Sequence, residues 1–420
     1  MAPVSCAKDS PLRPDVNKSG EGPAAIKVPF LTDPSDPRSA RALTGAKLAA
    51  EEVSKGGGLL GRPVAVVEVK ASARSLAGFT DDADVAAVLV ASGSEAIEKA
   101  EVALEMDPLP VIELFDDLYD LGRSKQTVFQ ASPPHSWQAF RLARYFGAGD
   151  RKYSKIGVAA EPGHVGDAAT AAMREAGTAR GLEVVSASGT PEEVTAKMKS
   201  QRPQVVVVEG STDFITKATS LIHEAGPYQG RSKIYDGYRP QIAGFESMLQ
   251  LTPPVPGWVG AGDYARPELV GDRIDSVKAF RSAFKSKYNK DPVGDEVRGY
   301  TAVHVIAEAV KAAGVLQHSK VIDQLETFDR KRFGHLPVSL GPTDHVLAER
   351  DVLGLFAYST ASSQKGWRHL MRAFTSDLER TNALEEDWAS FFDGTTPGGE
   401  APFYHSAKVG ITSDSKDDLH

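Results

Sequence analysis

Apolar positions change period repeatedly along the chain. Short continuous apolar runs at 26–31, 64–69, 85–90 and 110–113 read as strands, and apolar residues spaced three and four apart at 39–55 and 96–106 read as helices. Strands separated by helices imply βαβ units and a parallel sheet. After Ala131-Ser132-Pro133-Pro134 the alternation restarts, with helices predicted at 136–146, 166–181, 191–200 and 213–225 and strands at 155–160, 183–186, 204–209 and 233–235. A Gly/Pro-rich stretch containing Pro253, Pro254, Pro256 and Gly257 follows, then two long helices at 274–288 and 295–313. Breakers fill 334–342 before an apolar strand at 352–358. Residues 1–23 are polar and Pro-rich and read as a flexible leader. Residues 375–420 are polar and mixed, with one apolar cluster at Trp388, Phe391 and Phe392.

The pattern thus predicts an α/β protein with two doubly wound units, and 420 residues are too many for one core of ordinary size. Apolar residues make up 41% and charged residues 25%, which excludes disordered and fibrous classes. The formal net charge of −8 argues against nucleic acid as a partner, because phosphate contacts need clustered Lys and Arg. No apolar run reaches the roughly 18 residues that a membrane span requires. A single cysteine, Cys6, excludes an internal disulfide. It has two readings, a plain tail residue or the lipidated first residue of an exported lipoprotein whose signal segment is not visible here.

Catalytic and cofactor motifs are not found. The run Gly56-Gly57-Gly58 follows a helix and precedes a strand, the reverse of a dinucleotide-binding fingerprint, so these glycines are expected to end the helix in a left-handed turn. Ala91-Ser92-Gly93-Ser94 has Ala where a serine-hydrolase elbow needs Gly. His335 and His345 lie ten residues apart across breakers and specify no metal geometry. The expectation is a protein without metal, cofactor or enzymatic activity. Open α/β sheets place ligands at the carboxyl ends of their strands, here the loops 32–37, 91–94, 113–117, 161–165, 210–212 and 236–238.

Several residues in this order are similar to one known family. Gly45, Lys47-Leu48-Ala49, Glu51-Glu52 and Gly57-Gly58-Leu59-Leu60-Gly61-Arg62-Pro63 match its first helix and turn. Val128-Phe129 before Ala131-Ser132-Pro133, Lys155-Ile156-Gly157-Val158 before Val165-Gly166, Arg202-Pro203-Gln204 and Gly299-Tyr300-Thr301-Ala302-Val303 follow suit. Phe280, Tyr288 and Pro292, then Pro342-Thr343-Asp344-His345 and Gly366-Trp367, complete the likeness over residues 25–374. The chain resembles the periplasmic or extracellular solute-binding proteins of the leucine/isoleucine/valine-binding type that serve ABC importers.

The resemblance implies two Rossmann-like lobes joined by a three-segment hinge, the type I periplasmic binding protein fold. Lobe 1 is expected at 25–133 and 265–338, lobe 2 at 134–264 and 339–374, with a leader at 1–24 and an extension at 375–420. Crossings are expected near 132–135, 261–267 and 336–344. The implied partners are a small-molecule ligand and a membrane permease, or a signalling protein in the alternative of a sensor domain. The implied location is extracytoplasmic, and the implied state is a monomer.

For the ligand, Ser92, Gly93 and Ser94 keep the family's hydroxyl-rich carboxylate loop, but the second carboxylate segment has become Glu113-Leu114-Phe115-Asp116. Val165 stands where the family often places an aromatic residue beside the ligand's ammonium group. The expected lining is therefore Phe115, His164, Ser211, Tyr238 and Tyr300, with Glu113 or Asp116 meeting a donor or cation, and with Ser35 and Asp236 in neighbouring loops. Such a site suits an amino-acid-like, aromatic or hydrophobic solute.

Overall fold

The computed structural model describes residues 23–32, 36–91, 95–115, 127–147, 153–224, 240–251, 258–263, 275–328, 331–333, 336–338, 340–342, 345–347, 353–359 and 366–369. Its first sheet is built from β1 (Ile26–Thr32), β2 (Val64–Lys70), β3 (Val88–Val90), β4 (Val111–Glu113) and β5 (Val128–Gln130), all parallel, in the order β2-β1-β3-β4-β5. One face packs on α1 (Pro37–Lys55), and the other carries the short helices α2 (Ala73–Ala77), α3 (Glu95–Lys99) and α4 (Glu101–Met106).

The start of α1 follows from three residues. Asp36 accepts the Arg38 N–H at 2.9 Å as the cap, Pro37 fits the first turn where no N–H is needed, and Ala42, Leu43, Ala46, Ala49, Ala50 and Val53 then face the sheet. The helix ends as expected on its glycines, although Gly56 itself stays at φ −76° while Gly57 and Gly58 take φ +103° and +73°.

Chain order then moves to the second unit. α5 (His135–Gly147), β6 (Lys155–Ala160), α6 (His164–Ala179), β7 (Glu183–Ser188), α7 (Pro191–Gln201), β8 (Val205–Glu209), α8 (Thr212–Glu224) and β9 (Gln241–Gly244) continue the alternation. A 3-10 turn at Glu246–Gln250 leads to β10 (Val259–Asp263). The second sheet runs β14-β13-β10-β9-β8-β6-β7, with its strands parallel from β10 to β7. β13 (Leu353–Ser359) and β14 (Gly366–His369) add to it antiparallel. Helices α5 and α6 cover one face and α7 and α8 the other. Between β10 and β13 the chain returns to the first unit, where α9 (Asp275–Tyr288), α10 (Gly294–Ala313) and α11 (His318–Leu325) complete its core beside the hairpin of β11 (Lys331–Phe333) and β12 (Leu336–Val338).

The structure differs from the sequence reading at several places. The helix expected over 96–106 breaks at Ala100 into α3 and α4, and of the strand expected over 85–90 only β3 forms, with Val85 making an isolated bridge to Lys27. The strand expected at 233–235 lies outside the described residues, and β9 is the strand beside β8. The expected lobe boundary at 338/339 falls too early. Leu340 and Leu347 are buried in the first core, and the His345 carbonyl and Leu347 N–H pair with Gln130 on β5 at 2.8 and 2.7 Å. Residues 345–347 thus pack with the first unit, whereas β13 from Leu353 belongs to the second sheet. His345 is a packing residue, its ring stacked 4.2 Å from Phe129 and its Nε2 3.0 Å from Glu326 Oε1.

Candidate functional site

Where the carboxyl ends of the two parallel sheets face each other, the structure encloses a cavity of about 820 Å³. This is where an open α/β sheet presents its loop N–H groups and helix starts, and the crossing residues Ser132 and Pro133 form part of its wall. The first unit contributes Asp36, Arg38 and Arg41 from the start of α1, Phe115 after β4, and Arg298 from α10. From the second unit come His135 and Gln138 on α5, Glu161 to Gly166 after β6, Glu209 to Asp213 after β8, and Phe245 to Ser247 after β9.

The charges are organised in pairs. Arg38 donates through Nε and Nη2 to both oxygens of Asp36, at 3.3 and 3.2 Å. Arg41 Nε donates to Asp295 Oδ2 at 2.7 Å, and that carboxylate is 1% exposed. Arg298 Nη2 donates to Glu246 Oε2, a contact that joins the two units directly and whose side chains are both under a tenth exposed. The guanidinium carbons of Arg38 and Arg298 stand 5.1 and 5.7 Å from the ring centroid of Phe115, so the ring works as a cation–π support for the two arginines. Gln138 orders the hinge side, accepting the Glu246 N–H at 2.8 Å and donating to the Pro133 carbonyl at 2.8 Å.

Glu209 ends β8 and is 3% exposed. Ser247 Oγ donates to its Oε2 at 2.7 Å. Burial pushes its carboxyl above the usual carboxylate range, and the opposing pulls of His135, the Ser247 hydroxyl, the Gly210 N–H and Arg38 do not cancel that. Glu161 instead accepts the Ser211 N–H at 2.6 Å and so ties the ends of β6 and β8 together. Among the described residues no three His, Cys, Asp or Glu side chains converge to hold a metal ion.

Of the residues expected from sequence, Phe115, His164, Val165 and Ser211 line the cavity. Glu113 does not: it is fully buried, and its Oε1 accepts the Phe115 N–H at 3.0 Å and so closes its own turn. Tyr300 is also placed elsewhere. It lies between α10 and α1, with its hydroxyl donating to Glu52 Oε2 at 2.6 Å and its ring 4.8 Å from that of Phe280, and burial and the Glu52 carboxylate push its phenol well up. Ser35, Ser92, Gly93, Ser94, Asp116, Asp236 and Tyr238 lie outside the described residues. Sequence reasoning placed Glu161 in a ligand loop but passed over Arg38, Arg41, His135, Gln138, Glu209, Glu246, Ser247 and Arg298 as site residues. Two signals were available: Glu161 and Glu209 sit at strand ends, and Arg298 lies two positions from Tyr300, which on a helix is the opposite face.

Residues 25–353 match the family model of a periplasmic binding protein. Among solved structures, the type 1 periplasmic binding protein from Bordetella pertussis Tohama I superposes with a TM-score of 0.67 at 15% identity, over 82% of this chain and 99% of that one. The fatty acid ABC transporter substrate-binding protein from Thermomonospora curvata gives 0.66 at 17% identity, over 81% and 90%. The branched-chain amino acid transporter substrate-binding protein from Streptococcus pneumoniae, in complex with isoleucine, gives 0.62 at 18% identity, over 82% and 99%. Together with the two sheets, these likenesses identify the type I periplasmic binding protein fold. No curated protein matches the chain in sequence.

Proposed function

We propose a solute-capturing role from one premise: the chain belongs to the periplasmic binding protein family. In this reading it is the extracytoplasmic solute-binding component of an ABC importer, holding a small organic molecule between its lobes and presenting the closed form to a membrane permease. The observation that carries the reading is the cavity of about 820 Å³ walled by both units, with polar and charged side chains at the ends of β1, β6, β8 and β9. A ligand held there contacts both walls only when they approach, so it draws the open/closed equilibrium toward closure by its greater affinity for the closed state. The protein then binds its ligand without transforming it.

Charged pairs dominate the walls, and Phe115 supports two guanidinium groups. Both features favour an amino-acid-like polar solute over an aromatic or hydrophobic one. The test is a thermal-shift screen of amino acids, amides, aromatic acids, fatty acids and nucleosides, with calorimetry on every hit. A polar solute that binds one to one, with a smaller radius of gyration in the bound form, supports capture by closure. Binding without any change in radius would count against closure, and chemical turnover of a bound compound would overturn the non-enzymatic reading.

A further inference from the structure

Residues 345–347 form a strap fastened to the edge of β5. The Gln130 N–H donates to the His345 carbonyl at 2.8 Å, the Leu347 N–H donates to the Gln130 carbonyl at 2.7 Å, and Val346 bridges Gln130 in parallel. β5 is followed by Ser132, Pro133 and α5 of the second unit, and the strap is followed by β13, again of the second unit. Two connections between the units therefore start from one pair of backbones. The motif Pro342-Thr343-Asp344-His345 ends on this strap. Stacking on the buried Phe129 could be done by any aromatic ring, so a histidine here calls for another reason.

The two ring nitrogens supply it. Nδ1 stands 3.1 Å from the Val128 carbonyl oxygen and Nε2 3.0 Å from Glu326 Oε1, and the side chain is 2% exposed. Carbonyl and carboxylate oxygens only accept, whereas a neutral imidazole has one N–H and one lone pair. A neutral ring would therefore turn a buried lone pair toward an acceptor, and only the imidazolium donates to both. The surroundings suit that cation. Phe129 lies against it face to face, with the planes 20° from parallel. Glu326 caps the C-terminal end of α11, the end of a helix that favours positive charge. From β5 the facing groups are the Val128 carbonyl and the Phe129 ring, while the Gln130 amide donates to the Ser132 carbonyl at 2.9 Å. From α11 the facing group is Glu326, and among the described residues no other charged side chain makes an ion pair with His345.

We propose that His345 is a proton-operated latch, pinning the strap to β5 and α11 as the imidazolium and releasing it on the loss of one proton. The count of donors fixes the sense. Fastening is present while both nitrogens carry protons, and it is lost as rising pH removes one. With the strap released, the connections to α5 and β13 no longer start from one fixed pair. Closure of the two units then has more freedom to suppress, so solute affinity falls with the latch. That last step rests on the solute-capturing reading above, and the latch itself does not.

The experiment uses the full chain with nitrogen-15 in its histidine rings, the signals of His345 being assigned by their loss in His345→Phe. Ring spectra are recorded between about pH 5 and about pH 9, the range over which histidine charge changes. Hydrogen exchange of the peptides holding Gln130 and Leu347 is followed by mass spectrometry over the same range, corrected for the intrinsic pH dependence of exchange. The expectation is two protonated ring nitrogens at the acid end, and protection of both peptides that falls about 10-fold or more as one proton leaves, the weight of a hydrogen bond to a charged group. Glu326→Gln is the decisive variant. Its amide N–H can donate to the lone pair of a neutral ring, so its protection should stay high at every pH. His345→Phe keeps the stacking and, with an unchanged circular dichroism spectrum, should show low protection throughout. A single neutral tautomer at every pH overturns the proposal, and so does protection in Glu326→Gln that falls as steeply as in the unaltered chain. Calorimetry on a hit of the solute screen tests the coupling: affinity should fall with the latch in the unaltered chain and stay level in Glu326→Gln. Identical profiles would overturn the coupling to closure while capture stands. If no compound binds, the capture reading falls, and the ring spectra and exchange still decide the latch.

Discussion

Gly45 on α1 and Gly299 on α10 each lay bare backbone against the other helix. A Cβ built on Gly45 would run into the Glu296 carbonyl oxygen, and one on Gly299 into that of Ala42. This reciprocal contact explains why both positions carry glycine in a pair of otherwise regular helices. Alanine is the better helix former, yet here the obstacle is a neighbouring backbone that has no rotamer to yield. Gly45→Ala or Gly299→Ala should cost about 3 kcal/mol, at the upper end for overpacking, read as a lowered midpoint in urea. Nearby, Tyr300→Phe should cost about 1 kcal/mol through its lost bond to Glu52 and leave solute affinity unchanged. Glu52 itself has its carboxyl held below the ordinary value of 4.5, chiefly by His304, whose Nε2 is 3.6 Å away, and by the Tyr300 hydroxyl, against the opposing effect of burial. A lowered carboxyl pKa gives stability that is present above the ordinary value and lost as pH falls through the lowered one. Melting temperature measured against pH should therefore fall less steeply on the acid side in Glu52→Gln than in the unaltered chain.

Elements were legible where their residues are large and periodic. β8, with four consecutive valines, and α1, with its Asp36 cap and terminal glycines, can be read directly, because burial on both faces or on one stripe leaves its period in the sequence. β10 could not be read. Its residues are Val-Gly-Ala-Gly-Asp, and the glycines are there because a Cβ on Gly260 or Gly262 would meet the Leu249 side chain, so packing has erased the signature of a strand. The same holds for the site. Loops at strand ends were found, but Arg38, Arg41 and Arg298 lie on helices whose polar faces look like ordinary solvated surface until the other lobe is in place. The turn after α1 gives a test at this scale. Gly58 sits at φ +73° with the Arg62 carbonyl where a Cβ would be, so Gly58→Ala should destabilise through both strain and collision, by more than the roughly 1 kcal/mol that a glycine in open left-handed turns costs to replace. Unfolding of Gly58→Ala compared with Gly61→Ala, where nothing lies within 4 Å, separates the collision from the strain.

At the scale of the whole molecule, capture by closure as proposed above makes the balance between open and closed forms depend on what crosses the cleft. Arg298 on α10 and Glu246 beside β9 meet there with side chains 8% and 9% exposed, the arginine resting on Phe115 and the glutamate N–H held by Gln138. Opening separates the partners and returns both to water, so the pair acts on the closed form alone. Removing one partner takes a buried charge's ion pair away, at about 3–5 kcal/mol, and here that cost can be escaped by opening. Arg298→Gln and Glu246→Gln should each shift the ligand-free protein toward the open form, seen as a larger radius of gyration in X-ray scattering. Each should weaken solute binding by the fraction of closed form that is lost. The double variant leaves neither charge of this pair, and neutral replacements of buried pairs are often close to even in energy. It should therefore recover much of the closed population that either single variant loses. A pair that merely added attraction would instead leave the double variant as open as the worse single one, and scattering curves of the three ligand-free proteins decide between the two.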